Sequence, residues 1–270
     1  MVTRETSLRS ALLASPALST LPVGMLEASV PKLERFAESL RDVALPRGFL
    51  GPGEASRLAH RHILEAAALA PLIPGEGLLV DVGSGAGLPG IVLSLLRPGP
   101  TTLIESQGRR AAFLRETKTA LGLAVEIVRE RAEVAAHSTM RGSAAAVVAR
   151  ALAAPAVALE LTLPFAKVGG VVLIPTGDPT SETPGPSSSW LSKSRRADGV
   201  AERVGDGLQG VSMQLGGGEI RVVGFEVPGA PQARWAMIVN KLSATPEGYP
   251  RRPGLPQRRP IGGGDVVEVN

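Results

Sequence analysis

Apolar residues near the N-terminus recur with the period of a helix. Four of them follow Ser29 at helical spacing and predict a helix that begins near Ser29 and ends before Pro46. These four residues are Leu33, Phe36, Leu40 and Val43. A second helix is predicted from about 54 to 70. We expect the two helices to pack on the main sheet as an N-terminal helical cap, residues 28–77.

From residue 78 onward, short apolar runs of strand length alternate with helical segments. The predicted strands are 78–82, 101–105, 124–129, 145–149 and 170–175, and the predicted helices are 89–96, 108–121 and 153–166. Strands that alternate with helical crossovers predict a parallel, doubly wound α/β sheet. Two further strands, about 220–227 and 234–241, are joined by PGAPQ and are predicted to form a hairpin.

The remaining segments are predicted to lie outside the packed core. We expect residues 1–27 to be disordered, the main domain to span 78–241, and residues 178–200, rich in Pro, Ser and Gly, to form a flexible insertion within it. Residues 242–270 are predicted to form a basic, proline-rich tail that lies extended over the surface, without helix or central strand.

A basic run at residues 241–260 carries a net charge equal to that of the whole chain. Between residues 241 and 260, five cations oppose the single anion Glu247, and five minus one equals the net charge of +4. The five cations are Lys241, Arg251, Arg252, Arg258 and Arg259. Such a run can be a solvated surface, or it can bind a phosphate backbone beside Tyr249, whose ring offers a stacking face.

Composition excludes several classes of function. The 270 residues are 44% hydrophobic and contain no cysteine, which excludes disulfides, thiolate zinc sites and a cysteine nucleophile. The three histidines, His60, His62 and His137, are too few and badly spaced for a metal site, and His62 is predicted to pack partly buried on a helix. No run approaches the roughly 20 apolar residues that cross a bilayer. We expect a cytoplasmic protein without membrane contact.

Residues 79–90, LVDVGSGAGLPG, place a glycine-rich turn directly after a short apolar strand. Such a turn lets the backbone approach a nucleotide-like ligand where a Cβ would collide. Glu105, at the end of the second predicted strand, should face the same pocket. GAGLPG also fits the dinucleotide pattern GxGxxG, and Glu105 follows Gly85 by the twenty residues expected of an acid that binds an NAD ribose.

Asp81 favours S-adenosylmethionine (AdoMet) over NAD as the ligand. Its carboxylate stands two residues before the first glycine, where it would face the pyrophosphate of a dinucleotide. AdoMet has no phosphate and carries a sulfonium and an ammonium, which a carboxylate attracts. A structural role is the alternative, in which a strand-ending Asp caps the glycine turn by accepting hydrogen bonds from its amides. Glu105 would pair with ribose hydroxyls of either ligand.

Five blocks in the same order resemble the RsmG family, also called GidB. They are DVGSGAGLPG, IESQGRRAAFLRE, RERAE, VARALA and TPEGYPRRPGLPQRRP. The resemblance covers roughly 30–177 and 219–261. It implies an AdoMet-dependent methyltransferase with a Rossmann-like class I fold, a seven-stranded, mostly parallel sheet, and N7 of a guanine in small-subunit (16S) ribosomal RNA as the acceptor.

The resemblance also assigns residues to the site. Gly83 and Leu88 would line the cofactor, Ala132 and Glu133 would contact its adenine end, and Arg150 would lie where cofactor and target base meet. With the rest of the turn, the residues predicted to bind AdoMet are Asp81, Gly83, Ser84, Gly85, Gly87, Leu88, Glu105, Ala132, Glu133 and Arg150. Arg150 could instead cap or form a salt bridge at a strand end.

Some segments depart from the family pattern. RHILEAA, residues 61–67, resembles the family's RHILDSL, but residues 44–53 lack its Asn-Leu-Thr, and Thr176 and Gly177 replace its Lys-Gly. These departures bear on RNA contact and on the pocket wall beside Gly177. They leave the cofactor blocks intact.

The expected chemistry needs neither a metal nor a general base. N7 of guanine is a neutral lone pair, so the enzyme has only to align it with the methyl group, and Arg150 is predicted to serve in that positioning. We predict that Arg251, Arg252, Arg258 and Arg259 bind 16S rRNA or the small ribosomal subunit and that the protein is a monomer. An NAD-binding oxidoreductase and a non-catalytic rRNA-binding relative are the alternatives. Arg109 and Arg110, at a helix start, could bind ligand or RNA, or could be solvated.

Overall fold

A seven-stranded sheet forms the centre of the protein. The computed structural model describes residues 7–51, 62–176, 205–228, 230 and 232–262. Its strand order is β3-β2-β1-β4-β5-β7-β6, in which β1 to β5 are parallel and β7 runs antiparallel to both β5 and β6. The strands are β1 (Leu79–Val82), β2 (Thr101–Ile104), β3 (Val125–Val128), β4 (Ala144–Val148), β5 (Ala166–Thr176), β6 (Gly217–Phe225) and β7 (Arg234–Lys241). The predicted fold class, including the hairpin, is confirmed.

Helices cover both faces of the sheet. Within the described ranges they are α1 (Leu8–Leu13), α2 (Met25–Ser39), α3 (Leu64–Ala67), α4 (Gly90–Leu96), α5 (Gly108–Leu121), α6 (Ala132–Ala135), α7 (Pro155–Thr162), α8 (Asp206–Gln214) and α9 (Leu255–Arg258). One apolar cluster joins the N-terminal helices, α4 and α5 to one face, and a second joins α7 and α8 to the other. Successive residues of β4, Val147 and Val148, point into different clusters, as strand geometry requires.

The prediction of disorder for residues 1–27 is wrong for 7–27. Ser7 caps α1 by accepting the N–H of Ser10 at 3.2 Å, and Leu8 and Leu12 are buried against the rest of the cap. A 3₁₀ turn at 17–20 then buries Leu18. The apolar residues of α1 follow helical spacing over only six residues, too short a stretch for the sequence pattern to reveal. Residues 1–6 lie outside the described part.

The helix predicted to begin at Ser29 begins at Met25, after Gly24. The hydroxyl of Ser29 does not cap a helix start: its one hydrogen is shared between the carbonyl oxygens of Met25 and Leu95, which lie 2.7 and 2.6 Å from Oγ. Ser29 therefore ties α2 to α4. Of the helix predicted for 54–70, residues 52–61 lie outside the described part and 64–67 form α3. The flexible insertion predicted for 178–200 lies wholly outside it.

The predicted extended tail is instead fastened to the domain, and we call residues 245–259 the C-terminal strap. Arg141 donates from Nη2 to the carbonyl of Thr245 at 2.8 Å and from Nη1 to that of Tyr249 at 2.7 Å. The ring of His137 contacts the carbonyl of Pro250 at 2.9 Å. The strap ends in helix α9, so the prediction of a helix-free tail is wrong. The backbone carbonyls of the strap accept hydrogen bonds from side chains of the domain, and a proline-rich sequence does not reveal such contacts.

Two of the five cations counted between residues 241 and 260 are used inside the fold. Arg251 donates from its backbone N and Nε to Glu160 Oε1, both at 2.9 Å, and from Nη2 to Oε2 at 2.7 Å. The side chain of Glu160 is fully buried. Lys241 is also buried, and its Nζ donates to the carbonyl of Leu215 and to the hydroxyl of Thr245. Burial lowers the pKa of Lys241 to about 8, with the charge of Arg141 acting in the same direction.

Candidate functional site

The glycine-rich turn begins where β1 ends and bends back against β2. The N–H groups of Gly83 and Ser84 both donate to the carbonyl of Ile104, at 2.9 and 3.0 Å. Gly83 has a φ of 73°, in the left-handed region that favours glycine. A Cβ at Gly83 would lie 2.6 Å from Cδ1 of Leu152, so a larger residue would also displace the end of that side chain.

Asp81 lies beneath this turn and is fully buried. Its Oδ2 accepts the N–H of Gly90 at 3.0 Å, so the predicted structural role, capping the turn, is confirmed. A Cβ at Gly90 would collide with Oδ2, which explains the glycine at the start of α4. Oδ1 is buried and accepts no hydrogen bond from the described residues. Burial raises the pKa of Asp81 to about 7, while the hydrogen bond from Gly90 opposes that rise.

Glu105, at the end of β2, fixes the turn from the other side. Its Oε2 accepts the N–H of Gly85 at 2.9 Å, and its Oε1 accepts the N–H of Gln107 at 2.7 Å. The side chain of Glu105 is buried but lines the cavity described next. Each carboxylate oxygen has a second lone pair, so the predicted pairing with ribose hydroxyls stays a prediction that the geometry allows.

A cavity of about 210 Å³ opens at the carboxyl ends of the first strands. It is lined by Gly83, Glu105, Ala132 and Glu133, so the structure brings together four of the residues predicted to bind AdoMet. Asp81 does not line it. Pockets for drug-sized ligands usually exceed about 300 Å³, so this cavity is large enough for only part of such a ligand. A larger cavity, of about 720 Å³, lies at the opposite edge of the sheet, beside Thr101.

Glu133 connects this cavity to the C-terminal strap. Its Oε1 accepts hydrogen bonds from Arg131 Nη2 at 3.0 Å and from the N–H of Gly254 at 3.1 Å. Burial alone would raise the pKa of Glu133, but hydrogen bonds from its own backbone, Gly254 and Arg131 outweigh burial and lower it. The carboxylate therefore holds the strap against the wall where the adenine end is predicted to bind. The sequence did not indicate this link.

Arg150 follows β4 and contacts a histidine from the N-terminal cap. Its Nη1 lies 2.9 Å from Nδ1 of His62. Because a guanidinium can only donate, Nδ1 accepts, which assigns the ring proton of His62 to Nε2. His62 was predicted to be a packing residue, and it is buried, but it also orients Arg150. Ala151 comes next, with a φ of 51°, and lines the cavity with Leu152. The block RHILEAA was the signal that could have drawn attention to His62.

The two arginines that open α5 face different surroundings. Arg109 places its Cζ 5.8 Å from the ring centroid of Phe49, in the loop after α2. Arg110 lines the cavity beside Glu105. The arginines of the strap also differ from one another, because Arg251 is held by Glu160 while Arg252, Arg258 and Arg259 are exposed.

Among the described residues, no cluster of three or more His, Cys, Asp or Glu side chains has the arrangement of a metal site. None of the helices in the same residues is both long and apolar enough to span a membrane.

Comparison with known proteins identifies the family. The model of the GidB family, described as rRNA small subunit methyltransferase G, matches residues 29–186. A relative named ribosomal RNA small subunit methyltransferase G, from Dehalococcoides mccartyi strain CBDB1, is 33% identical over 249 residues, which cover 90% of this chain and 97% of the relative. The chain belongs to this family. A relative of the same name from Acidothermus cellulolyticus is 46% identical over 145 residues, 53% of this chain and 63% of the relative.

Among solved structures, the crystal structure of tRNA (m1A58) methyltransferase TrmI from Aquifex aeolicus is similar, with a TM-score of 0.47 and 14% sequence identity. The similarity covers 67% of this chain and 69% of that one. The fold assignment rests on the strand order described above. Membership in the rRNA small subunit methyltransferase G family confirms the resemblance, the enzyme class and AdoMet as the cofactor. It does not favour the alternative of an NAD-binding oxidoreductase.

Proposed function

We propose that the protein transfers a methyl group from AdoMet to N7 of one guanine in 16S rRNA, and that the residues gathered at the carboxyl ends of β1 to β4 perform this reaction. The observation that carries the proposal is that one cavity is lined jointly by Gly83, Glu105, Ala132 and Glu133. In open α/β sheets, ligands bind at this edge. Three strands thus contribute to one site in a chain of the rRNA small subunit methyltransferase G family.

The residues present fit AdoMet in shape and charge. Gly83 has no side chain and lines the cavity, so its backbone can form one wall of the pocket. Asp81 Oδ1 is a buried carboxylate oxygen without a hydrogen bond from the described residues. An ammonium or sulfonium placed over the turn would compensate its charge, which desolvation otherwise makes costly. We infer that Asp81 acts through the turn, as a negative charge beneath the methionine end of AdoMet.

The protein's contribution to the reaction is positioning. Bound AdoMet supplies an activated methyl group on a sulfonium, and guanine N7 attacks with a neutral lone pair, so no proton has to be removed first. We assign Arg150 to the point where cofactor and base meet. There its planar guanidinium can donate hydrogen bonds to guanine O6, to an RNA phosphate or to the methionine carboxylate. His62 holds Arg150 in place through the 2.9 Å contact at Nδ1.

We assign the RNA-contacting surface to the exposed arginines of the strap. Arg252, Arg258 and Arg259 project from a segment fixed to the domain, so their charges are held near the cavity at low entropic cost. Arg251, also predicted to bind RNA, serves instead to fasten the strap to Glu160. N7 of a stacked guanine in A-form RNA lies in a deep, narrow groove, so the target base should be unstacked or in a loop.

Methyl transfer from radiolabelled AdoMet tests the activity. Small ribosomal subunits, and the naked 16S rRNA extracted from them, are taken from cells that lack this modification. We expect label in the 16S rRNA from at least one of these substrates. For Arg150→Ala the rate should fall by a factor of about one hundred, because misplacement of the reacting groups slows methyl transfer. No incorporation into either substrate, with RNA binding retained, would favour a non-catalytic relative.

The setting of the enzyme is part of the same proposal. We propose that it works in the cytoplasm, where its ribosomal substrate is assembled, and as a monomer. Light scattering at concentrations that span the cellular range tests the oligomeric state, and a mass of two chains would contradict it.

A further inference from the structure

The C-terminal strap reaches the cofactor cavity through Gln257. This residue lies on α9 and lines the cavity together with Glu105, Ala132 and Glu133. We propose that the carboxamide of Gln257 binds the adenine base of AdoMet and makes the site selective for adenine. The inference rests on the proposed function, since it assumes that AdoMet occupies this cavity.

Contacts within the strap fix the position of Gln257. Three residues before it, the N–H of Gly254 donates to Glu133 Oε1 at 3.1 Å, and Arg251 forms the ion pair with the buried Glu160. Pro256, its direct neighbour, is buried. The N–H of Arg259 donates to the carbonyl of Leu255 at 2.9 Å and closes the turn of α9 around it. The backbone beneath Gln257 is therefore held on both sides, as a binding residue requires.

The side chain of Gln257 is available to a ligand. Among the described residues, its carboxamide makes no hydrogen bond, and the residue is exposed and lines the cavity. In the neighbouring carboxylate of Glu133, Oε1 accepts from both Arg131 and Gly254. The wall where the adenine end is predicted to bind thus offers a neutral group with one acceptor and two donor hydrogens.

The hydrogen-bonding edge of adenine matches a carboxamide. Adenine presents its N6 amino group beside ring nitrogen N7, a donor next to an acceptor, and Asn or Gln pairs with this edge through two hydrogen bonds. Hypoxanthine, the deaminated base, presents two acceptors on the same edge, N7 and the carbonyl oxygen at position 6. The carboxamide oxygen of Gln257 would therefore lose its donor partner on that edge. Selectivity for adenine over hypoxanthine is therefore the property that this residue should confer.

Calorimetric binding of two ligands tests the proposal without any methyl transfer. The ligands are S-adenosylhomocysteine and S-inosylhomocysteine, which differ only in the base. We expect wild-type protein to prefer the adenosyl ligand, and Gln257→Leu to bind it about tenfold more weakly, since a paired carboxamide contributes of that order. The affinity for the inosyl ligand should change by less than about twofold. Gln232→Leu, an exposed glutamine that does not line this cavity, is the matched control.

The outcomes separate this proposal from the one on which it rests. Adenosyl binding by wild type with unchanged base preference in Gln257→Leu would overturn the role of Gln257 alone. An equal loss for both ligands would assign Gln257 to packing of the pocket and would also overturn it. Absence of binding of either ligand to folded wild-type protein would overturn the proposed function and this inference together. Melting curves without ligand verify that each variant is folded.

Discussion

Replacing Asp81 by Asn tests the negative charge beneath the glycine turn. Asp81 is fully buried, and burial raises the pKa of its carboxyl from 3.8 to about 7. Asn has nearly the same shape, and its Oδ1 can still accept the N–H of Gly90. The substitution therefore removes the titrating proton while it preserves the turn.

The raised pKa makes stability depend on pH in a defined window. Between pH 3.8 and about 7, folded Asp81 keeps a proton that the unfolded chain has released, so stability falls as pH rises through that window and levels off above it. Each pH unit inside the window changes the free energy of unfolding by about 1.4 kcal/mol. From pH 5 to pH 8, wild type should lose about 3 kcal/mol relative to Asp81→Asn.

Urea unfolding of the ligand-free proteins at pH 5, 6, 7 and 8 measures this difference. The stability of Asp81→Asn relative to wild type should grow up to pH 7 and stay constant above it. Because other groups titrate equally in both proteins, the difference isolates Asp81. Asp206→Asn, at an exposed position on α8, should show no comparable trend.

Cofactor binding adds a second readout for Asp81. Saturating AdoMet brings cations toward the buried carboxylate and favours its ionised form, so the fall in wild-type stability with pH should shrink. At pH 8 the Asn variant should bind AdoMet more weakly than wild type. A stability difference that does not depend on pH would refute the account of Asp81 as a buried, titrating group.

Four further changes test other parts of the structure. Arg251→Ala leaves the buried carboxylate of Glu160 without its guanidinium and should cost about 3 kcal/mol in urea unfolding, while Arg252→Ala, its exposed neighbour, should cost less than about 0.5 kcal/mol. Gly90→Ala places a Cβ against Asp81 and Leu103 and should destabilise the protein by about 1–3 kcal/mol. Gly210→Ala, in α8, adds a Cβ in open space and should stabilise the protein slightly. Equal effects of the two substitutions would contradict the packing beneath α4. Ala151→Gly should stabilise the apo protein by about 1 kcal/mol, because φ is 51° at this residue, and an unfolding midpoint below that of wild type would count against backbone strain there. The triple variant of Arg252, Arg258 and Arg259 to Ala should weaken RNA binding and reduce the salt slope by about 2 to 3, and an unchanged slope in filter-binding titrations would exclude the strap as the RNA surface.

The sheet and the helices that cross it could be predicted because their signals are local. Strands β1, β2 and β4 are short runs that are buried along their whole length, and such runs can be recognised in the sequence. The helix predicted for 108–121 matches Gly108–Leu121, since Gly122 ends it with a φ of 57°. The glycine-rich turn could also be predicted, because the left-handed backbone at its glycines favours that residue type, which is visible in the sequence.

Other features depend on contacts between distant residues. The hydroxyl of Ser29 has the chemistry of a helix cap, but the carbonyl of Leu95 decides its use, 66 positions along the chain. The arginines of the strap look alike in sequence, and only the buried Glu160, 91 positions before Arg251, separates that residue from its neighbours. Likewise, no local sequence pattern shows that Gln257 lines the same cavity as Ala132. Such pairings arise from the packed fold, so they had to be read from the structure.

The identity of the methylated nucleoside tests the central claim most directly. Small ribosomal subunits or 16S rRNA from cells without this modification are incubated with the protein and AdoMet, the RNA is digested to nucleosides, and the products are separated by mass spectrometry. We predict 7-methylguanosine at close to one residue per 16S rRNA with wild type, and formation of this product about a hundredfold more slowly with Arg150→Ala. A methyl group on another atom or another base, or no methylated product at all, would contradict the account.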